Sequence, residues 1–498
     1  MKPVFSHLRK LGHANVSYID DSLLQADSYD QCVANIEATV DSMDSLGLTI
    51  HPEKSVLRPT RCITFLGFVL NSETMTICLT KGKADNVVHV CQELLNTKVT
   101  SIRHLAQVVG KMVACAPAVP HAPLFYKTLE HEKDSALKLA KGNFNNTVRI
   151  STEAREQVLW WINNIHQSAN PVYRGSPDLV LETDSSGTGW GGLVKGDGHD
   201  QLQTGGHWSH SEQQNHINYL ELYAAFLTLQ CFCNLKRNIH VRLYMDNTVA
   251  VNYLNNMGGK KPYLHDLTRE MWLWCKERDI WLSVCYLPGV TNVEADKLSR
   301  KISDDIEWSL NVHIFQKVCD IFGIPDIDLF ASRINAQVTS YVSYLPDPTA
   351  IAVDAFSLSW SHGTYYALPP FSLLGRVLQK VEEDVTQMIL IAPLWTTQPW
   401  FPKLLRLVTA PPVILPNRLP CPLLQLRNNP TRQHPMQKLR LIACKLSGRA
   451  CDVREFRRQL PPSFLHNGGH PPRDNMGSIS ADGCLFASKG QLIRCNHL

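Results

Sequence analysis

The stretch 179–300 constrains the fold more than any other part of the chain, because its apolar pattern switches between strand-like and helical periods. The sequence predicts a strand over 179–184, glycine-rich hairpins, a helix over 220–231, a strand over 240–245, two helices, a strand over 280–286 and a short helix over 293–300. This order of elements is typical of a mixed α/β domain of conventional size, and we place its bounds at 177–302.

The remainder of the 498 residues predicts further domains, since 44% hydrophobic residues suffice for several cores. Hairpins are predicted over 15–24 and 63–79, helices over 82–140 and 150–167, and a linker over 170–177. Residues 310–416 alternate again and predict a doubly wound sheet with buried strands near 327–330, 365–368 and 388–391. The composition then turns toward Pro, Asn, Arg and Gly, which predicts a largely disordered tail over 417–498 with a helix at 436–459. The expected fold class is α/β and α+β multidomain.

Charge and cysteine content exclude few functions. The net charge of +4 permits nucleic-acid binding without arguing for it. The 15 cysteines form no Cys-x-x-Cys pair, so we expect reduced thiols in an intracellular protein, cytoplasmic or nuclear. No signal-peptide core opens the chain and no run of 18 apolar residues exists, so no membrane partner is expected.

Four acidic residues stand at the ends of predicted elements. Asp184 and Asp246 end strands, Glu221 lies on a helix, and Asp296 falls within a short helix. Any one of them alone is more often a solvated acid. Together, carboxylates from adjacent strand ends and packed helices are able to hold two Mg²⁺ or Mn²⁺ ions, which activate a water and stabilise a leaving oxygen in phosphodiester cleavage. The order and context therefore predict a metal-dependent nuclease.

The same stretch resembles the ribonuclease H domain of long-terminal-repeat-type and related retroelements. The matching pieces are Thr183-Asp184-Ser185, Gly189-Trp190-Gly191-Gly192, His216-Ile217-Asn218-Tyr219-Leu220-Glu221-Leu222, Met245-Asp246-Asn247, Leu287-Pro288-Gly289, Asn292 and Ala295-Asp296. The resemblance implies that Asp184 and Asp246 flank both metals, that Glu221 and Asp296 complete them, and that the substrate is the RNA strand of an RNA–DNA hybrid. Tyr286 stands where many relatives carry His, which implies slower product release.

Other polar residues receive a plainer interpretation. We predict that the segment 207–210, His-Trp-Ser-His, forms the polar face of a hairpin rather than a metal site. Five basic residues in the helical region either follow the phosphates of a hybrid or lie on a solvated face: Lys81, Lys83, Lys98, Arg103 and Lys111. Trp160 and Trp161 are predicted to be core residues.

The string Tyr18-Ile19-Asp20-Asp21 resembles the catalytic turn of reverse transcriptases. Such a turn brings adjacent carboxylates to an exposed tip, where they reach metal ions. Gly47-Leu48, Lys54 and Phe65-Leu66-Gly67 fall where these enzymes carry the end of the palm and the primer grip. The resemblance implies a C-terminal part of the palm at 1–75 and thumb or connection at 76–170. The family's first catalytic Asp lies upstream of this turn, so we expect an N-terminally truncated chain with an incomplete polymerase site, Asp20 and Asp21 being its remnant.

Residues 308–416 resemble the methyltransferase-like domain that follows ribonuclease H in DIRS-like retroelements. The matching pieces are Asp328-Leu329-Phe330-Ala331-Ser332, Asp354-Ala355-Phe356-Ser357 with Trp360, and Pro369-Pro370-Phe371. Adenine-N6 methyltransferases carry Asp or Asn before the two prolines to grip the target amine, and Leu368 cannot accept that hydrogen bond. With no Gly-rich loop for S-adenosylmethionine, we expect a folded domain without methyl transfer.

These observations predict the reverse transcriptase and ribonuclease H part of a DIRS-like retrotransposon polyprotein. Its expected activity is endonucleolytic hydrolysis of RNA in RNA–DNA hybrids by a two-metal mechanism, with other nucleic acid and the rest of the polyprotein as partners. RNA-directed DNA polymerase activity is expected only within a longer chain. The alternative is a non-catalytic nucleic-acid-binding or structural remnant of a decayed transposable element.

Overall fold

The structure is a computed structural model that describes residues 2–196, 202–300, 308–416, 423–425, 439–463 and 485–498. The chain divides into two compact units, one comprising Met1–Ser176 with Asn256–Trp272 and the other Pro177–Asn255 with Leu273–Leu498. Within the described residues, no helix combines the length and apolar character that a membrane crossing requires.

The first unit alternates small sheets with helices. Up to residue 171 its elements are α1 (Lys2–Lys10), β1 (Ala14–Tyr18), β2 (Asp21–Gln25), α2 (Tyr29–Ser45), β3 (Cys62–Phe65), β4 (Phe68–Asn71), β5 (Thr76–Leu79), α3 (Lys81–Asn96), β6 (Thr100–Ser101), α4 (Ile102–Cys115), α5 (Lys127–Leu139), β7 (Thr147–Val148), α6 (Thr152–Asn164) and β8 (Ala169–Pro171). The predicted hairpins and helices are confirmed. The prediction of a linker from residue 170 is wrong at its start, because β8 pairs with β5 as the edge of a four-stranded sheet.

Tight turns define the two hairpins of this unit. Ile19 and Asp20 join the paired residues Tyr18 and Asp21, and Ile19 adopts a positive φ of 55°. A β-branched residue in this left-handed region is strained, and such strain persists where the surrounding structure imposes it. In the next hairpin Leu66 and Gly67 both have positive φ, the backbone that a two-residue turn of type I′ needs.

The second unit begins with a five-stranded sheet; of the elements named next, α10 falls mostly in the stretch Asn256–Trp272 that belongs to the first unit. Elements between residues 179 and 300 are β9 (Leu179–Ser185), β10 (Gly189–Val194), β11 (Gln203–His207), α7 (His210–Gln213), α8 (Ile217–Cys233), β12 (Ile239–Met245), α9 (Thr248–Asn255), α10 (Pro262–Lys276), β13 (Ile280–Tyr286) and α11 (Val293–Arg300). The strand order is β11-β10-β9-β12-β13, antiparallel across the first three strands and parallel from β9 onward. The predicted order of elements is confirmed.

Two adjacent glycines in β10 let helices approach this sheet from opposite faces. A Cβ on Gly191 would lie 2.5 Å from Leu298 Cβ of α11, and one on Gly192 would lie 2.2 Å from Thr228 Oγ1 of α8. Successive residues of a strand point to opposite faces. The glycine pair therefore sets the distance of both α8 and α11 from the sheet, and these two helices carry Glu221 and Asp296.

The second sheet of this unit is mixed and six-stranded. Elements from residue 308 onward are β14 (Trp308–Leu310), α12 (Val312–Phe322), β15 (Ile327–Asp328), β16 (Val342–Ser343), β17 (Ala352–Val353), β18 (Thr364–Ala367), α13 (Leu374–Glu383), β19 (Gln387–Pro393), α14 (Phe401–Leu407), β20 (Val413–Ile414), β21 (Leu423–Gln425), β22 (Leu441–Ser447), α15 (Ala450–Arg458), β23 (Leu485–Ser488), β24 (Gln491–Arg494) and β25 (Asn496–His497). The order is β15-β18-β19-β22-β20-β25. We call residues 308–498 the third module.

Helices cover both faces of this sheet, as a doubly wound arrangement requires. In β19, Met388 and Leu390 pack in the core that includes α13 and α14, whereas Ile389 and Ile391 pack in the core that includes α12. A strand buried on both faces has a continuous apolar sequence, which explains the run at 388–391.

The expectation of a largely disordered tail is wrong for the described residues after 438. Strand β22 lies in the middle of the six-stranded sheet and pairs with β19 over seven residues. The sheet thus needs residues beyond 416, and the predicted boundary there is wrong as well. The predicted helix at 436–459 is replaced by β22 followed by α15; residues 417–422, 426–438 and 464–484 lie outside the described residues.

Candidate nuclease site

The register of two parallel strands brings the first two predicted carboxylates level. Glu182 of β9 pairs with Tyr244 of β12, so continuing the register by two residues sets Asp184 beside Asp246. Both side chains then point to the same face of the sheet. Gly191 pairs with Asp184, and a Cβ on Gly191 would meet Leu298 of α11. Asp184 therefore points to the face of the sheet that α11 covers.

Glu221, on the second turn of α8, completes a group of three. One carboxylate oxygen from each of Asp184, Glu221 and Asp246 lies within 4.8 Å of the others. Glu221 is only 4% exposed, and its Oε2 has no hydrogen-bond partner among the residues that the structure describes. A buried carboxylate oxygen without a donor is costly, so the group lacks a positive partner that a cation would provide. This is the only group of three potential ligands among the residues that the structure describes.

Asp296 stands beside this group rather than within it. Its Oδ1 accepts a hydrogen bond of 2.6 Å from Arg300 Nε one helical turn later, and its side chain is 40% exposed. It is nevertheless close enough to raise the pKa of Asp184 and of Asp246 electrostatically. The four predicted residues therefore occur together as three converging carboxylates and a fourth that is paired with Arg300.

Burial and mutual repulsion make this group difficult to ionise. Burial, followed by the charges of Asp246 and Asp296, raises the pKa of Asp184 to about 6. Burial also raises the pKa of Glu221 well above its usual range, with further contributions from Asp184 and Asp246. The pKa of Asp246 is raised by burial and by Asp296. Such shifts are relieved when a cation binds.

Hydrogen bonds from α11 and the loop before it hold the site in place. Ser299 Oγ donates to Asp184 Oδ2 at 2.7 Å, and the buried Asn292 donates from Nδ2 to the carbonyl of Thr183 at 3.0 Å. A Cβ on Gly289 would lie 2.9 Å from Asp246 Oδ2. Sequence reasoning missed Ser299, although its position three residues after Asp296 sets it on the same helical face.

The segment 207–210 differs from its prediction. His207 and Trp208 are buried rather than polar and solvated, and Ser209 caps α7 through a capping box with Glu212. His216 caps α8, its Nδ1 accepting from the backbone N–H of Asn218 at 3.1 Å. None of these histidines belongs to the carboxylate group.

The other predicted site residues lie in the first unit. Asp20 and Asp21 are exposed at the β1–β2 turn, and they join no group of three ligands among the described residues. Lys83 lies 3.7 Å from the ring centroid of Phe68. Trp161 is fully buried and donates from Nε1 to the carbonyl of Phe125 at 2.9 Å, which confirms it as a core residue.

The motif residues of the third module serve its own packing. Asp328 is fully buried, accepts backbone N–H groups from Phe330 and Gln337, and has its pKa raised to about 7 by burial. Leu368 packs against the core that includes α12, and Phe371 meets Trp395 edge-on at 5.4 Å.

One curated relative gives a sequence match that fits this arrangement. The chain is 22% identical over 291 residues to the enzymatic polyprotein of Figwort mosaic virus (strain DxS), covering 57% of this chain and 40% of the viral protein. It therefore spans less than half the length of that relative. No protein-family model matches the chain.

Solved structures align at low scores. The foamy viral protease-reverse transcriptase in complex with RNA/DNA hybrid is 16% identical, with 61% of this chain and 40% of that chain covered at a TM-score of 0.31. RNase H1 from the halophilic archaeon Halobacterium salinarum NRC-1 is 19% identical, with 24% and 92% covered at a TM-score of 0.20. Because both scores are below 0.5, a functional proposal must rest on the residues of this chain.

Proposed function

We propose that this chain is the reverse transcriptase and ribonuclease H part of a DIRS-like retroelement polyprotein, and that residues 177–302 hydrolyse the RNA strand of RNA–DNA hybrids. The observation that carries the proposal is the group formed by Asp184, Glu221 and Asp246, with an unpaired buried oxygen on Glu221. Asp296 adds a fourth carboxylate at its border.

The donor set fits Mg²⁺ or Mn²⁺. All the converging groups are carboxylates, the ligands that hard cations prefer. Two such ions would supply an activated water and a stabilised leaving oxygen. Asp184 and Asp246, level on adjacent strands, would contact both ions, and Glu221 and Asp296 would complete their coordination.

The surrounding residues orient and tune these carboxylates. The Ser299 hydrogen bond occupies Asp184 Oδ2 and leaves Oδ1 for a ligand. Burial and the neighbouring charges raise the pKa of Asp184 to about 6 in the metal-free site, so protons compete with the metal for this carboxylate at acidic pH and the metal affinity should fall there. Arg300, which pairs with Asp296, lies where it would also attract a phosphate.

In the rest of the chain, residues 1–75 would form the C-terminal part of a reverse transcriptase palm, and residues 76–170 its thumb or connection. The exposed Asp20–Asp21 tip with strained Ile19 supports the first assignment. The third module is proposed to be methyltransferase-like in fold without methyl transfer. Leu368, packed in an apolar core, and Asp328, occupied by two backbone donors, support this.

Cleavage of labelled RNA annealed to DNA by the full chain tests the central proposal. Activity should require Mg²⁺ or Mn²⁺ and spare RNA alone. Asp246→Asn should lower kcat at least about a hundredfold, since it removes a charge and a ligand oxygen. Glu294→Gln is the matched control, because Glu294 lies on the same helix as Asp296 but pairs with Lys297 at 2.8 Å. A folded parent that is inert with both metals, or an Asp246→Asn chain with full activity, would favour the non-catalytic remnant.

A further inference from the structure

An arginine of the third module forms a buried ion pair with the nuclease domain. Arg333 donates from both terminal nitrogens to Glu212, at 2.6 and 2.9 Å. The two side chains are only 14% and 17% exposed. Such a two-pronged, desolvated pair fixes orientation as well as distance. Because Glu212 is also the capping-box residue of α7, the pair fixes the segment that follows β11.

The same guanidinium lies over two aromatic rings of the nuclease domain. Its central carbon is 5.9 Å from the ring centroid of Trp208 and 5.8 Å from that of Tyr223, within the range of a cation–π contact. Trp208 and Tyr223 are themselves stacked, 5.7 Å apart. Arg333 therefore helps to fix the fully buried Trp208.

A second contact holds the edge of the nuclease sheet. The carbonyl of Pro346 accepts hydrogen bonds from Thr204 Oγ1 on β11 and from Cys231 Sγ on α8, the latter at 3.4 Å. Asp347 in turn accepts the backbone N–H of Arg333 at 2.9 Å. The loop after β16 and Arg333 thus act together on β11 and α8.

From Trp208, three hydrogen bonds lead to the carboxylate group. Trp208 Nε1 donates to the carbonyl of Ser186 at 3.0 Å, Ser186 Oγ donates to the carbonyl of Ser299 at 2.7 Å, and Ser299 Oγ donates to Asp184 Oδ2 at 2.7 Å. Each of these donors is buried. Ser186 directly follows β9, two residues after Asp184, so its position fixes both the end of β9 and the end of α11.

We propose that Arg333 is a positioning residue for the nuclease site, acting through Trp208, Ser186 and Ser299 on Asp184. The inference rests on the proposed function, since it names a residue outside 177–302 that sets the affinity of that site for its metal. The third module then contributes to RNA cleavage without touching the substrate, and it needs no activity of its own.

The test compares Arg333→Met with Lys380→Met in the full chain. Lys380 is a close match: it pairs with Asp384 at 3.0 Å, with side-chain exposures of 17% and 18%, and its Nζ lies 5.3 Å from the ring centroid of the buried Trp360. This pair lies wholly within the third module. Thermal unfolding shows whether both Met variants are folded. If either one is not folded, the same comparison is made between Arg333→Lys and Lys380→Arg.

Two readouts distinguish positioning from general stability. Calorimetric titration with Mn²⁺ in the absence of substrate should give a dissociation constant about tenfold higher for Arg333→Met, the usual effect of losing an outer support of a metal ligand. For hybrid cleavage, kcat should fall about tenfold while KM stays within about twofold. Lys380→Met should leave both quantities at the parent's values.

A double-mutant cycle with Ser299→Ala tests the route. If Arg333 acts through Ser299, the double variant should be no weaker in Mn²⁺ binding than the poorer single variant. Additive losses, or equal effects of Arg333→Met and Lys380→Met in a parent that binds Mn²⁺ and cleaves hybrid, would overturn the inference alone. A folded parent that neither binds Mn²⁺ nor cleaves would overturn the proposed function and the inference together.

Discussion

Replacing Asp184 by Asn should stabilise the metal-free protein at alkaline pH. Burial and neighbouring charges raise the pKa of Asp184 from 3.8 to about 6. A carboxyl whose pKa is raised on folding binds its proton more tightly in the folded state, so stability falls as pH rises from about 4 to about 6. The raised pKa of Asp184 corresponds to a loss of up to about 3 kcal/mol in the free energy of unfolding at pH 8. Asn removes that cost but weakens the hydrogen bond from Ser299 by about 1 kcal/mol, which leaves a net gain of about 2 kcal/mol.

Thermal unfolding in a chelator at pH 5 and pH 8 measures this effect. At pH 8 the second unit of the Asp184→Asn chain should unfold several degrees higher than that of the parent, by about 2–4 °C per kcal/mol for a domain of 150–250 residues. At pH 5, midway through the range from about pH 4 to about pH 6, the gain should be well below that at pH 8, because only about half of the cost of ionising Asp184 is then present. Glu294→Gln, which removes an exposed carboxylate outside the group, should show no such pH dependence.

Magnesium supplies the second half of the same experiment. It should raise the unfolding temperature of the parent more than that of Asp184→Asn, because the ion binds the folded state through the missing carboxylate. An equal gain at both pH values, or an equal response to magnesium, would refute the idea that carboxylate burial and repulsion destabilise the empty site.

Three further substitutions test other features. Gly191→Ala should lower the free energy of unfolding by about 1–3 kcal/mol through overpacking against α11, and it should also lower kcat for hybrid cleavage. Unchanged stability would contradict the close contact of 2.5 Å between the added Cβ and Leu298 Cβ. Trp161→Phe should lower the free energy of unfolding of the first unit by about 2 kcal/mol, because it removes the hydrogen bond to the carbonyl of Phe125 and leaves a smaller side chain. Denaturant unfolding measures this loss, and hybrid cleavage should be unchanged. The third module of the parent should lose stability between pH 5 and pH 8, because the raised pKa of about 7 makes ionised Asp328 unfavourable in the folded state. Asp328→Asn should reduce this loss, and an equal loss in both proteins would argue against the explanation.

The sequence predicts the elements of the proposed nuclease domain well where its periodicity is regular. The strand over 280–286 and the helix over 293–300 match the structure in both bounds. Buried residues alternate along the strand, at Ile280, Leu282 and Val284, which is the pattern of a half-buried strand. The proximity of Asp184 and Asp246 also follows from adjacent strands that end at one edge of the sheet, whereas Glu221 is brought there by α8. The exposure of Asp296 and its pairing with Arg300 do not follow, because they depend on the rotation of α11.

Prediction failed where tertiary contacts decide burial. The run Leu441–Ser447 is short and apolar, and such a run fits a buried strand or a helix equally well. Its place between β19 and β20 depends on partners far away in sequence. Likewise His207 and Trp208 sit in a polar context in the sequence, and the burial of Trp208 depends on packing against Trp190 and α8 and on the contact with Arg333.

The contact between Arg333 and Trp208 has a practical consequence for handling this protein. A chain trimmed to 177–302 would keep every proposed catalytic carboxylate, yet it would lose the cation that covers Trp208 and the carbonyl of Pro346 that accepts from Thr204 on β11. The indole of Trp208 and the side chain of Thr204 would then lose part of their cover, and newly exposed apolar surface promotes self-association. Preparations of the trimmed chain should therefore be judged by their aggregation before their activity.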